Sequence, residues 1–421
     1  MNFAKLKKYY IDNRLIFNCG LLAILFFVNC FVADFSYLVF FVLMVGVLFE
    51  NKQNSFSMLV FSVPFCGIDE YLGVYLLFAC VAIFIIKNYI IMRFFDKLKV
   101  NWFVVCSIFM FLIYALLPIG EYSQGLFVKL IIILSIVLLV NLFINYKGLL
   151  NLKFNLNVMA IGLIISAAFY LTYFISPYMN SKPIPIMTED FIRFAALLMN
   201  PNALAMICEI CLSLLTIYLI QDKFEWNDII AYIIFAVLGL STFSKTFLIL
   251  FGILAIILFV YLIRKFKWKI AWLVCVLCGL IMFAVIIKGD FLFAYLRRFV
   301  NINLNDNYDS TFGKFLNVLT TGRYKLWSAV LSYMFMNPIV IFFGRGIGAP
   351  LVASMSAHNF YITMIYELGI VGSILFVLMF VALILDYKKR NPDYKFQKAY
   401  LIPIIIIGLL MMVEDLFLYI Y

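Results

Sequence analysis

The sequence is poor in charge. Asp, Glu, Lys and Arg together make up 13% of its 421 residues, about half the share usual in soluble domains, which excludes a water-soluble globule. Histidine is almost missing, His358 being the single one. One imidazole cannot build the three- or four-ligand site that zinc normally takes. No Asp-x-Asp pair occurs in the long segment 288–357, where Asp306 and Asp309 have two residues between them, so nothing there calls for a divalent cation. Inverted repeats and low-complexity tracts are absent as well. The cysteines (Cys19, Cys30, Cys66, Cys80, Cys106, Cys208, Cys211, Cys275, Cys278) all lie inside apolar runs, which argues against a disulfide framework. The Cys208-x-x-Cys211 and Cys275-x-x-Cys278 pairs share a helix face and read as small packing residues.

What the chain has in quantity is apolar side chains, 67% of the total, with 19% aromatic. Runs of about 20 residues, long enough to cross ~30 Å of hydrocarbon, recur from residue 15 to residue 420. This predicts an all-α polytopic membrane protein, because a transmembrane barrel would alternate over strands of about 10 residues. Spans are expected at 15–33, 36–49, 56–68, 70–86, 101–117, 126–146, 156–175, 195–220, 228–243, 246–263, 270–287, 359–385 and 400–420. The third is short and either crosses or re-enters, giving about 12–13 transmembrane helices.

The formal charge of +11 resides mostly in clusters beside apolar spans, where Lys and Arg meet anionic headgroups and set orientation. Nucleic acid is therefore not an expected partner; membrane lipid is. The clusters at Lys5, Lys7, Lys8 and Arg14, at Lys87, Arg93, Lys97 and Lys99, at Lys147 and Lys153, at 264–269 and at 388–398 all fall on one side when the spans are counted in order. That side is expected to be the cytoplasm. The first segment lacks a convincing cleavage site and is read as an uncleaved span with a cytoplasmic N-terminus.

On this count the chain divides into N-terminal helices (1–175), central helices with a polar break at 241–246 (176–287), a large external loop (288–357) and C-terminal helices (358–421). The loop carries Lys288, Arg297, Arg298, Lys314, Arg323, Lys325 and Arg345, but loops longer than about 60 residues are exported largely regardless of charge. Apolar side chains at helical spacing around 319, 323, 326, 327 and 330 predict an amphipathic helix on the membrane surface.

Several ionisable residues are candidates for chemistry. His358 precedes a span, where helix-end positive charge favours a neutral, proton-accepting ring; the alternative is a polar interfacial residue. Lys245, in Ser241-Thr242-Phe243-Ser244-Lys245-Thr246, either faces an anion or snorkels to headgroups. Arg193, just before Asn200-Pro201-Asn202, is either a substrate contact or an interfacial anchor. Glu209, near mid-span, marks a proton or ion path or an internal hydrogen bond. Gly344-Arg345-Gly346-Ile347-Gly348 is like a phosphate-binding glycine loop only superficially, since no strand–helix unit surrounds it, and reads as a tight turn.

In order, Ser244-Lys245-Thr246, Thr321-Gly322-Arg323-Tyr324-Lys325-Leu326-Trp327, Pro338 with Gly344-Arg345-Gly346-Ile347-Gly348, His358-Asn359 and Glu367-Leu368-Gly369-Ile370-Val371-Gly372 resemble the O-antigen polymerase and O-antigen ligase family. The likeness covers about residues 190 to 385 and adds Arg193, Asn200 and Asn202. It implies a glycosyltransferase that takes sugar chains from undecaprenyl diphosphate at the outer face of the bacterial cytoplasmic membrane, without metal or cofactor. It further implies that Lys245 and Arg323 are the family's basic residues and His358 its histidine, and a chain-length regulator protein is a possible partner. Breaking a sugar–diphosphate bond leaves charge on phosphate oxygens while the attacking hydroxyl loses a proton, so cations and a base are both needed. On this reading Lys245, Arg323 and His358 are catalytic, and Arg193, Asn200, Asn202, Arg345 and Asn359 bind substrate. Polymerase is preferred to ligase, and a transporter of lipid-linked sugars is the competing class, which would show matching broken helices in two halves.

Overall fold

The computed structural model describes residues 13–32, 35–67, 70–94, 102–116, 135, 138–142, 151–173, 187–188, 191–198, 200–221, 225–261, 263–264, 323–347, 349, 359–390 and 401–411. The helices are α1 (Arg14–Phe31), α2 (Ser36–Phe49), α3 (Lys52–Ser62), α4 (Glu70–Phe94), α5 (Trp102–Leu116), α6 (Leu152–Tyr173), α7 (Pro201–Ile220) and α8 (Trp226–Ser241). They continue with α9 (Lys245–Tyr261), then α10 (Arg323–Met336), α11 (Pro338–Phe343), α12 (Phe360–Arg390) and α13 (Leu401–Met411). Among the described residues five helices are long and apolar enough to cross a membrane: Arg14–Phe31, Leu72–Ile91, Leu152–Thr172, Pro201–Ile220 and Phe360–Asp386. The protein is thus an all-α, multi-pass membrane protein. The expected span 270–287, most of 126–146, most of the long loop and His358 lie outside the described residues.

Apolar residues cover both faces of these helices because the outer face meets lipid, not water. On α1, Leu22, Phe26, Asn29 and Cys30 are buried at helical spacing, while Ile16, Leu21, Ile24 and Phe27 are exposed. The N-terminal half closes around aromatic rings. Phe26 stacks on Phe65 at 4.3 Å and meets Phe40 edge-on at 5.9 Å, and Phe61, Phe84 and Tyr170 complete the cluster.

The short third segment is α3 followed by a 3₁₀ turn, Val63–Phe65. It runs parallel to α6. At one end Ser57 Oγ donates to Asn155 Oδ1 (2.7 Å) and the Asn151 N–H to Gln53 Oε1 (2.9 Å); at the other, Ser166 Oγ donates to the Pro64 carbonyl (2.8 Å). Side-chain hydrogen bonds between helices matter here because hydrocarbon offers polar groups no other partner. Two further departures from the expected spans affect the site. The run 195–220 is helical only from Pro201, preceded by a 3₁₀ turn at Ala196–Leu198 and a two-residue hairpin, Met187–Thr188 paired antiparallel with Phe191–Ile192. The run 359–385 is two helices joined at Gly369, whose backbone (φ 65°, ψ −178°) is not helical.

The ends of α6 and α8 are stapled by charge. Lys153 Nζ lies 2.9 Å from Glu225 Oε1 and 3.0 Å from Asp228 Oδ2, Asn157 donates to Asp228 Oδ1 at 3.1 Å, and the Glu225 N–H donates to Asp228 Oδ2 at 2.7 Å. Asp228 is fully buried and closes a capping box at the start of α8. Replacing it leaves Lys153 only the exposed Glu225 as an ion-pair partner and frees the Asn157 amide and the Glu225 N–H. Asp228→Ala should therefore destabilise the protein by roughly 3 kcal/mol, read as a lowered thermal midpoint in detergent, whereas Glu225→Ala at the exposed partner should cost under about 1 kcal/mol.

Candidate functional site

The described contacts tie the candidate residues into two groups. The first forms where α8 turns into α9. Helix α8 ends at Ser241, Phe243 takes a left-handed backbone (φ 52°), and Ser244 restarts the chain as α9 by accepting the Phe247 N–H at 3.4 Å. The turn leaves carbonyls exposed, and the extended segment ahead of α7 satisfies them: the Phe194 N–H donates to Ser241 O at 3.2 Å and Arg193 Nε to Thr242 O at 3.1 Å. Arg193 also donates through Nη2 to Asn202 Oδ1 at 2.7 Å. Asn200 caps α7, its side chain accepting from the N–H groups of Asn202 and Ala203. Arg193 therefore meets the polar break at 241–246 and is itself held by Asn202, on the helix that Asn200 caps.

Lys245 is the first residue of α9. Its place is the helix end that carries partial positive charge, where backbone N–H groups favour an anion. Arg193 is buried and engaged with Thr242 and Asn202, so in this structure it acts on the turn before Lys245.

The second group is built by glycines. In an unbroken helix the Tyr366 and Glu367 carbonyls would accept from the N–H groups four residues on; the break at Gly369 releases them. They accept instead from the Gly-Arg-Gly turn, Arg345 N–H to Tyr366 O at 2.9 Å and Gly346 N–H to Glu367 O at 2.8 Å, while the Ile347 N–H reaches Tyr114 O on α5 at 3.0 Å. Gly344 (φ 71°, ψ −179°) and Gly369 occupy a backbone region essentially reserved for glycine. They lie back to back, so that a Cβ on Gly369 would collide with Gly344 N and the Phe342 carbonyl. The docked turn presents Arg345, whose Nη1 donates to Tyr366 Oη at 3.1 Å and whose guanidinium carbon lies 5.6 Å from the centre of the Tyr333 ring on α10. A guanidinium held by a hydroxyl and an aromatic face is pre-organised. Asn359 caps α12, accepting the Ile362 N–H at 3.1 Å, and Arg323 opens α10 on the helical stripe that continues through the buried Val330 and Met334.

Helix α13 bridges the two groups, packing against α7 and receiving at the Gly408 carbonyl the hydroxyl of Tyr361 on α12 (3.0 Å). Sequence reasoning missed Thr242, Tyr333 and Tyr366, which carry no motif of their own; only the glycines at 344 and 369 marked the place where Tyr366 matters. Glu209 is wholly buried on α7 and its carboxyl oxygens find no hydrogen-bond partner among the described residues. Also among the described residues, no three His, Cys, Asp or Glu side chains gather as a metal site.

Residues 230–377 match the family model described as O-antigen ligase. Over these residues the chain is similar to the O-antigen ligase family. Lys245, Arg323, Arg345, His358 and Asn359 fall inside the matched stretch; Arg193, Asn200 and Asn202 precede it. No curated protein and no solved structure matches the chain. The similarity supports an activity of the O-antigen polymerase or ligase type.

The glycine docking makes a sharp prediction. Gly369→Ala adds backbone strain of about 1–3 kcal/mol before the collision with Gly344 is relieved. Its thermal midpoint should fall clearly, whereas Gly252→Ala, on α9 with no atom within 4 Å of the added methyl, should leave it unchanged or slightly raised.

Proposed function

We propose that the protein is a polysaccharide polymerase of the O-antigen or capsule type, joining undecaprenyl-diphosphate-linked oligosaccharide repeat units at the outer face of the bacterial cytoplasmic membrane. The observation that carries this reading is the family match over 230–377, because it contains both proposed catalytic cations and the single histidine. The acceptor hydroxyl oxygen attacks the anomeric carbon of the growing chain as its bond to the diphosphate oxygen breaks. The electron pair leaves on undecaprenyl diphosphate, and the hydroxyl proton passes to His358. Attack opposite the leaving group inverts the anomeric centre.

Lys245 and Arg323 neutralise the diphosphate as charge grows on it. Arg193 and Asn202 support them by fixing the turn that carries Lys245, and Asn200 by capping α7. Arg345, beside Tyr366, and Asn359, at the mouth of α12, serve the glycan or the phosphates. Lys at 245 supplies a point charge, where Arg would offer a two-pronged contact.

A second reading is favoured by the description of the matched family, O-antigen ligase, in which one finished glycan is moved to a lipid A core or another acceptor. Purified protein incubated with lipid-linked repeat units separates the two. A ladder of chain lengths is expected for a polymerase; a single transfer that requires lipid A core marks a ligase, and passage of unmodified lipid-linked sugar across a vesicle membrane marks a transporter. In the same assay Arg323→Ala should be slower by about 10²- to 10³-fold, corresponding to roughly 2–4 kcal/mol of transition-state stabilisation. His358→Ala should make no ladder; near-normal polymer from it would remove the base from the mechanism.

A further inference from the structure

The end of the long loop is expected on the membrane surface, yet its exposed side chains change character along α10 and α11. On the earlier turns of α10 the exposed residues are Lys325, Ser328, Ala329, Leu331 and Ser332, of which Leu331 is only just exposed (38%). Beyond them the exposed residues are Phe335 (74%), Met336 (81%), Pro338, Ile339 (76%), Phe342 and Phe343, with no charged side chain between Ser332 and Gly344. A helix lying flat on the surface would separate polar from apolar around its axis; here the separation runs along the chain. Water would not tolerate so large an apolar face on a loop.

The glycine docking supplies a depth. Helix α12 ends in Asp386, Lys388 and Lys389, which puts the hydrocarbon boundary at that end near Leu385. At 1.5 Å per residue Gly369 lies ~24 Å from that boundary, so ~6 Å remain of a ~30 Å core, and any tilt of α12 takes Gly369 deeper. The contact of Phe342 and Gly344 with Gly369 holds α11 at that level. The lipid-facing residues of α12 next to it, Ile370, Val371 and Ile374, are exposed in the same way, so the apolar face of α11 continues theirs.

We infer that the C-terminal turn of α10 together with α11 is a re-entrant wedge inserted among the acyl chains of the leaflet at the Phe360 end of α12. The backbone is satisfied there because α11 is helical and the Gly-Arg-Gly turn donates to α12. Arg345, beside Tyr366, then sits near the edge of the hydrocarbon, where its long side chain reaches toward lipid phosphates. This assignment rests on depth alone and does not depend on the reaction proposed above.

The test uses the whole wild-type protein in nanodiscs of phosphatidylcholine, a fraction of which carries a photoactivatable diazirine near the glycerol end of one chain. Adducts are counted per peptide by mass spectrometry. Yield on 335–343 of at least a third of that on 370–378, the adjoining lipid-facing stretch of α12, is expected. A yield below a third, with 370–378 labelled normally, overturns the wedge and leaves that face to water or to a protein partner. Catalytic inactivity of the preparation would bear on the proposed reaction and not on this result.

Discussion

The interruption of α12 at Gly369 is the constraint on which the second half of the structure depends. Hydrocarbon forbids unpaired backbone groups, so a break in a spanning helix must be answered by another segment. The Gly-Arg-Gly turn answers it with two N–H groups, and in doing so fixes α11, orients Arg345 against Tyr366 and Tyr333, and ties the turn to Tyr114 on α5. A side chain at either 344 or 369 would separate the two backbones. The spacing between the Gly-Arg-Gly and Glu-Leu-Gly motifs is therefore a structural fact before it is a functional one.

The first half solves the same problem with side chains. Where α8 turns into α9, Arg193 and the Phe194 amide meet the carbonyls released by the turn, and Asn202 holds the guanidinium in place. At the other end of the helices Lys153, Glu225, Asp228 and Asn157 join α6 to α8. In both places charged groups sit at helix ends, where the orphan backbone groups are. Arg193 illustrates how a residue chosen for its charge turns out to position others.

Much of the architecture was legible in the residues. The run 36–49 is a helix over Ser36–Phe49, and the polar interruption at 241–246 is the turn between α8 and α9. Hydropathy detects these because it reports which segments avoid water. It does not report φ, so the break at Gly369 inside the apolar run 359–385 leaves no hydropathy signal, although Glu367-Leu368-Gly369 stands out as a motif. Nor does it distinguish a surface helix from an inserted one when apolar residues follow polar ones along the axis, as in α10 and α11. Of the site, the cations and Asn359 could be named from the sequence, whereas the tyrosines around Arg345 and the Thr242 carbonyl become visible only through contacts made by folding.

The central claim is that Lys245, Arg323 and the histidine before α12 serve one lipid diphosphate. An electron cryo-microscopy structure of the protein with an undecaprenyl-diphosphate-linked repeat unit tests it most directly. The account predicts the diphosphate within hydrogen-bonding reach of Lys245 and Arg323, with the His358 ring facing the space beside the anomeric carbon. A diphosphate bound away from both cations, or a His358 ring on the opposite face of the membrane from it, would contradict the account.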